Sequence, residues 1–100
     1  MTLKNYTPHL VRLNDGREWP SVGIARVSST HSEFRDDLAT VVFGEPEGLP
    51  PQEDGVLLIV SGMMAAACRG RSDLVSPATG HPLTVRKDGQ VVSVPGFIRA

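Results

Sequence analysis

Residues 55–70, with the sequence GVLLIVSGMMAAACRG, decide the fold. An uninterrupted apolar run at 56–60 follows a glycine, and a run without alternation is typical of a strand that is buried on both faces. Ser61 can cap a short helix, because its hydroxyl can accept a hydrogen bond from a free amide of the first turn. Gly70 is expected to stop that helix, since glycine adopts the left-handed conformation without steric cost. The stretch therefore predicts a central strand followed by one short helix.

The remaining segments are expected to form shorter, half-buried strands around this unit. Asn-Asp-Gly at 14–16 and Lys-Asp-Gly-Gln at 87–90 are typical tight turns, because Asp and Gly tolerate positive φ. Each turn predicts a hairpin between the apolar segments on either side of it. Residues 24–28 and 38–43 have the composition of strands, whereas the polar segment 29–37 is predicted to be an exposed loop or a weak helical turn.

Together these segments predict an α+β protein that is mostly β. We expect a small antiparallel, barrel-like or rolled sheet of about six to eight short strands, with one short helix after the central strand. The glycines and prolines of 44–54 predict a long irregular connection. Residues 97–98 are expected to anchor the end of the chain in the core. The length of 100 residues fits a single globular domain, 1–100, because such a chain can bury one core and not two.

Composition narrows the class of partner. The formal net charge is −1, from 10 Lys and Arg against 11 Asp and Glu, and the two signs are interspersed. A nucleic-acid-binding domain normally carries a basic face, so nucleic acid is not expected as a partner. No apolar run approaches the roughly 20 residues of a membrane span, and no signal-peptide pattern is evident. We therefore expect a cytoplasmic protein without a membrane partner.

Catalytic and metal chemistry have little support in the sequence. The three His are far apart, and the single Cys, Cys68, lies in an apolar run where a small buried thiol is expected, so no zinc-ligand spacing occurs. Ser61 lacks the Gly-x-Ser-x-Gly context of a nucleophile elbow. The carboxylates of 45–54 form no evident acid and base pair. No catalytic residue, metal ligand or cofactor is predicted, and a non-enzymatic protein is favoured.

An anion site is the better motivated alternative. A buried strand that ends at Ser61 and Gly62 and opens a helix presents free amides and the positive end of a helix dipole to a phosphate or carboxylate. Arg26 alternates with apolar residues, and a charge in a strand needs solvent or a partner. Arg71 follows the helix and lies two residues before Asp73. The competing interpretation is that Arg71 complements the helix dipole and forms a structural pair with Asp73.

Five segments of the chain form an ordered set of motifs. They are NYTPH at 5–9, PSVGIARV at 20–27, FGEPEGLP at 43–50, VS at 60–61 and GRSDLVSP at 70–77. In the same order they resemble a family of small proteins from tailed bacteriophages and actinobacterial genomes. That family has Asn-Leu-Thr-Pro-His, Pro-x-Ser-Gly-x-x-Ala-Arg-Val, Tyr-Gly-Glu-x-Glu-Gly-Leu-Pro, Tyr-Ile-Val-Ser and Gly-Arg-x-Asp. Phe43 replaces the usual Tyr, Val22 intervenes before Gly23, and the loop after residue 27 is short.

The resemblance covers most of the chain and implies an origin in a phage or mobile element. The family has no assigned activity, so the resemblance implies little chemistry. The matching segments do include polar residues that a hydrophobic core alone would not require. Combined with the anion site, these give the predicted ligand-binding residues Thr7, His9, Ser21, Arg26, Ser61, Gly62, Arg71 and Asp73.

Three hypotheses for the function follow. The first is a non-enzymatic phage or mobile-element accessory protein that binds a small anionic, nucleotide-like ligand and sequesters a host defence signal. The second is a protein-interaction module that inhibits a host protein or joins a phage structural assembly, with 45–54 as a contact surface. The third is an enzyme that acts on a nucleotide or sugar. Free strand edges in so small a domain also predict a homo-oligomer.

Overall fold

The computed structural model describes residues 2–99, apart from the side chains of residues 29 and 31. Within that range lie ten short strands and one helix. The strands are β1 (Thr2–Asn5), β2 (Val11–Arg12), β3 (Glu18–Trp19), β4 (Ser29–His31), β5 (Val41–Phe43), β6 (Val56–Ile59), β7 (Leu74–Pro77), β8 (Val85–Lys87), β9 (Gln90–Ser93) and β10 (Phe97–Ile98), and the helix α1 is Gly62–Ala67. The prediction of an α+β protein that is mostly β, with one short helix after the central strand, is confirmed.

The main sheet has four strands in the order β1-β6-β7-β10. β1 and β7 both run parallel to β6, and β10 pairs antiparallel with β7. The helix α1 connects β6 to β7, and such a crossover lets consecutive strands run parallel. Ser61 is the N-cap of α1, as predicted, and its Oγ accepts a hydrogen bond from the amide of Met64 at 3.2 Å. The helix ends at Ala67, one turn before Gly70, with Cys68 as its C-cap.

β6 is buried on both faces, as its uninterrupted apolar sequence predicts. Leu58 belongs to a core cluster that includes Met64 of α1. The next residue, Ile59, packs in a second cluster with Val11 and Val75. Successive side chains of a strand point to opposite faces, so these clusters are the two sides of one sheet. This strand and its helix thus fix the frame on which the shorter elements are arranged.

Three two-stranded hairpins surround the main sheet, and two of them form at the predicted turns. β2 pairs with β3 across 14–16, and β8 pairs with β9 across 88–89. The third hairpin pairs β4 with β5. The prediction that 29–37 is an exposed loop or a weak helical turn is therefore wrong for residues 29–31, which form β4. Asp36 and Asp37 have φ of 50° and 66°, which are the two consecutive positive values of a type I′ hairpin turn. Asp tolerates this conformation, although the pair lacks the glycine that usually marks it.

The expected antiparallel, barrel-like or rolled sheet of six to eight strands is corrected in its details. Among the described residues, ten strands form one sheet of four and three of two without a closed barrel, and β1 and β7 run parallel to β6. Residues 24–28 were expected to be a strand, yet they make only an isolated bridge between Arg26 and Glu47. Ala25 and Val27 are nevertheless buried in the core. The segment is therefore held mainly by apolar burial, and its alternating pattern reflects one buried face without a strand ladder. Within residues 2–99, no helix is long and apolar enough to cross a membrane.

Candidate ligand-binding cleft

A cleft of about 720 Å³ opens where the three parallel strands of the main sheet end. Because β1, β6 and β7 run in the same direction, the loops that follow them converge at one edge of the sheet. In open sheets with parallel strands, ligands bind outside the carboxyl ends of those strands. We call this space the carboxyl-edge cleft. Its lining is Thr7, Pro8, His9, Leu10, Val11, Arg12, Ser61, Gly62, Pro77, Thr79, Gln90, Val91, Val92, Ser93 and Val94.

Four of the eight predicted ligand-binding residues line this cleft. Thr7 and His9 come from the loop after β1, and Ser61 and Gly62 follow β6. They are more than fifty positions apart in sequence, and the parallel pairing of β1 with β6 brings them together. The opposite wall comes from β2 and β9, which contribute Val11, Val91 and Val92 together with the polar residues Arg12, Gln90 and Ser93. The cleft thus combines apolar side chains with hydroxyl, imidazole, amide and guanidinium groups.

The loop after β1 is held in place by Asn5, which is 1% exposed. Its Nδ2 donates to the carbonyl oxygens of His9 and Trp19, both at 2.7 Å. Its Oδ1 accepts from the amide of Thr7 at 2.9 Å and from the Thr7 hydroxyl at 2.6 Å. Every donor and acceptor of the Asn5 side chain that faces this loop is therefore used. Asn5 is a positioning residue, and it fixes the backbone that presents His9.

Thr7 contributes to the architecture of this loop as well. It is 9% exposed, and its hydroxyl also lies 3.0 Å from the carbonyl oxygen of His9. A hydroxyl has one hydrogen, so the donation to Asn5 leaves only acceptor capacity toward the cleft. His9, in contrast, is exposed. Of the two predicted residues in the loop, Thr7 is buried and His9 is exposed, so His9 is the one that a ligand in the cleft can contact.

Ser61 and Gly62 form the floor where β6 turns into α1. The Oγ of Ser61 accepts from Met64, which leaves its hydrogen available for donation. A Cβ built on Gly62 meets nothing within 4 Å, so open space lies directly above this residue. The helix has only six residues, so its dipole is too short to make an anion site by itself. The floor can still supply a hydroxyl and a close backbone approach to a bound molecule.

Arg12 is a lining residue that the sequence-based prediction missed. Its guanidinium lies 3.4 Å from Glu18 Oε1, and both side chains are 43% exposed. An exposed ion pair with a single contact of this length is weak. Arg12 can therefore exchange Glu18 for another anion at little cost. The sequence signal for Arg12 was its position between two apolar residues, Val11 and Leu13, both of which are buried in the structure.

Arg71 and Asp73 lie at the other edge of the sheet. Asp73 directly precedes β7, whereas the cleft is at the end of that strand, which is roughly 13 Å away for four residues. Asp73 is 3% exposed, and the hydrogen bonds from Arg71 hold the pKa of its carboxyl below the ordinary value. Arg71 also donates to the carbonyl oxygen of Pro50 at 2.9 Å. The pair therefore joins the long connection to β7, in agreement with the structural alternative.

Ser21 and Arg26 also lie outside the carboxyl-edge cleft. The Ser21 hydroxyl donates to the carbonyl oxygen of Gly23 at 3.0 Å and closes a local turn. Arg26 exchanges two backbone hydrogen bonds with Glu47, and its side chain is exposed beside Glu45 in a depression of about 170 Å³. Both acidic neighbours would repel an anion. These two residues are therefore not brought together with the lining of the cleft.

Among the described residues, no group of three His, Cys, Asp or Glu side chains is close enough to hold a metal ion. In comparisons with known proteins, no family model matches the chain, and no curated protein or solved structure is significantly similar to it.

Proposed function

We propose that the protein binds a small ligand, with an apolar body and one anionic group, in the carboxyl-edge cleft. The observation that carries this proposal is the convergence of His9, Ser61 and Gly62 at the carboxyl ends of parallel strands. The volume of about 720 Å³ lies within the range of roughly 300 to 1,000 Å³ that is typical of small-molecule sites. A cleft with apolar walls and a few convergent polar groups has the usual composition of such a site.

The lining defines the chemical class of the ligand. Leu10, Val91 and Val92 line the cleft and are exposed, so they provide aliphatic surface against which a planar or aliphatic group packs. Arg12 supplies a guanidinium, whose planar fork donates two parallel hydrogen bonds to a phosphate or carboxylate. One such cation matches a monophosphate, a phosphodiester or a carboxylate better than it matches a triphosphate. A nucleoside monophosphate or a cyclic oligonucleotide combines a planar base with a phosphate group that such a guanidinium can bind.

The biological role follows from the resemblance to phage proteins together with this chemistry. A small protein that binds such a ligand without converting it lowers the free concentration of that ligand. We propose that it sequesters a nucleotide-like signal of the host's defence in the cytoplasm. Arg71 and Asp73 are not part of this proposed site, because they stabilise the opposite edge of the sheet.

The experiment is a thermal-shift screen of the purified protein with nucleoside monophosphates, cyclic oligonucleotides and ADP-ribose derivatives. A ligand at 100 times its dissociation constant stabilises the folded state by about 2.7 kcal/mol. For a domain of 100 residues this corresponds to a rise of about 10 to 20 °C in Tm. A hit is then measured by isothermal titration calorimetry, and intact ligand after incubation distinguishes sequestration from turnover.

Two matched pairs of variants localise the site. Gly62→Leu fills the cleft, whereas Gly70→Leu adds the same side chain at a position that also has open space but lies outside the cleft. Arg12→Ala removes the proposed charge partner, and Arg26→Ala removes an arginine elsewhere. We expect the thermal shift to vanish in Gly62→Leu, to fall in Arg12→Ala and to persist in both controls. A flat screen, or a shift that survives Gly62→Leu, would contradict the proposal.

A further inference from the structure

The β4–β5 hairpin is an exposed part of the described chain. β4 and β5 pair only with each other among the described strands. A two-stranded ribbon alone is marginally stable in water. Apolar side chains nevertheless occupy its exposed positions along the second strand and near the turn. They are Phe34, which is 75% exposed, Leu38, Val41, Val42 and Phe43.

The whole molecule is more extended than a compact monomer of its mass. A folded chain of 10.7 kDa exposes about 5,500 Å² on the usual scaling with mass, whereas this chain exposes 6843 Å². The radius of gyration is 15.0 Å, against about 13 Å for a compact domain of 100 residues. The excess of about 1,300 Å² is larger than the roughly 800 Å² that one partner loses in a standard interface. The chain thus has enough additional exposed surface for one interface of standard size.

The backbone of β5 defines how that interface forms. Gly44 donates to the carbonyl of Ser28, and Ser32 donates to that of Thr40, so the hydrogen-bonded positions of the ladder are even-numbered. Because these positions alternate along an antiparallel pair, the amide and carbonyl groups of Val41 and Phe43 point away from β4. They form a free edge flanked by exposed apolar side chains, which is a template for pairing with another strand.

We propose that this edge pairs with β5 of a second copy of the chain, antiparallel and around a two-fold axis at Val42. In that register Val41 of one copy exchanges both backbone hydrogen bonds with Phe43 of the other, and the ribbons join into a four-stranded sheet. The two Val42 side chains are then directly opposite each other. The interface is self-complementary, as two-fold symmetry requires.

The charge at the tip of the hairpin favours the antiparallel arrangement. Glu33, Asp36 and Asp37 outnumber Arg35 there, so the tip is acidic. Antiparallel pairing places the two tips at opposite ends of the joint sheet, whereas parallel pairing would bring them together and repel. The charge of the tip therefore favours the antiparallel orientation of the second copy, and the proposed interface is independent of the carboxyl-edge cleft.

The first test measures the mass of the protein by sedimentation equilibrium over micromolar to millimolar concentrations. We expect a dimer in the wild type. Val42→Lys sets two like charges opposite each other at the axis and should raise the dissociation constant about 10-fold or more. Val22→Lys, at an exposed valine outside the hairpin, is the matched control and should leave it unchanged. A monomeric wild type, or a dimer that is insensitive to Val42→Lys, would overturn the proposal.

A crosslinking test reports the register directly and does not depend on weakening the dimer. Facing residues of a non-hydrogen-bonded antiparallel pair have Cα atoms about 4.5 Å apart, which is within the range of a disulfide. In a Cys68→Ala background, Val42→Cys should therefore give a covalent dimer on mild oxidation, while Val22→Cys should remain monomeric on a non-reducing gel. Equal crosslinking of both variants, or of neither, would refute the proposed axis.

Discussion

Arg71 and Asp73 form a two-point ion pair at the amino end of β7. Nε of Arg71 donates to Oδ1 of Asp73 at 2.9 Å, and Nη2 donates to Oδ2 at 2.6 Å. The Asp73 side chain is 4% exposed and that of Arg71 26%. Because Arg71 also binds the Pro50 carbonyl, the pair ties the long irregular connection to the main sheet.

Removal of one partner should therefore destabilise the fold. Asp73→Ala leaves the Arg71 guanidinium half-buried without its carboxylate, and breaking a buried pair in this way costs about 3 kcal/mol. Asp15→Ala removes the acidic partner of Arg17 in an exposed pair and should have little effect. Urea denaturation of both variants measures the difference. Equal losses in the two variants would show that burial does not matter at Asp73.

The same pair predicts a dependence of stability on pH. Arg71 lowers the pKa of Asp73 in the folded state below its unfolded value of about 3.9. The unfolded chain therefore binds a proton first as the pH falls. The stabilisation is complete above about pH 5 and is lost as the pH falls through the pKa of the folded state. Wild type should thus exceed Asp73→Asn in stability by less at about pH 3 than at about pH 6. A constant gap between the two pH values would contradict this linkage.

Gly48 is expected to be intolerant of any side chain. Its φ is +77°, and a Cβ there would collide with the carbonyl oxygen of Ile24. Gly55 has nearly the same φ, +76°, but open space around its Cβ position. The left-handed conformation alone should cost about 1 to 2 kcal/mol in Gly55→Ala, and Gly48→Ala should cost more because backbone must also move. Thermal denaturation of the two variants compares them. If Gly55→Ala were the more destabilised, the close approach of 24 and 48 would be wrong.

Local signals explain which elements the sequence predicts correctly. The apolar run of β6, the cap at Ser61 and the Asp-Gly turn at 88–89 each depend on residues within a few positions of one another. The hairpin turn at Asp36 and Asp37 was missed because no glycine marks it. Residues 24–28 have the alternation of a strand, but their backbone hydrogen bonds go to separate positions, 6, 44 and 47, and only the pair with Glu47 forms a bridge.

The candidate site depends on contacts that local patterns do not encode. The parallel pairing of β1 with β6 joins segments more than fifty residues apart, and this pairing decides that His9 lies near Ser61. The motif resemblance and the predicted anion site supplied the candidate residues, but neither could separate those at the carboxyl edge from Arg71 and Asp73 at the amino edge. Asn5 carried a usable signal, since Asn is uncommon in strands and a buried one needs several hydrogen bonds.

Asn5→Asp tests whether the Asn5 network supports both the fold and the cleft. Aspartate has nearly the same shape and keeps the two bonds from Thr7, but an oxygen replaces the Nδ2 that donates to His9 and Trp19. The two partly buried carbonyls lose their donor and face a negative charge on a buried side chain, so the variant should lose about 3 kcal/mol of stability. Asn14→Asp is the matched control, because Asn14 is exposed and donates one side-chain bond, to the Leu83 carbonyl. Chemical denaturation should separate the two by about 2 kcal/mol.

Under conditions where Asn5→Asp remains folded, ligand-induced stabilisation should be smaller than in the control, because the loop that presents His9 is no longer fixed. Unchanged stability would show that the two hydrogen bonds donated by Asn5 Nδ2 contribute nothing net, and unchanged binding would remove the loop after β1 from the site.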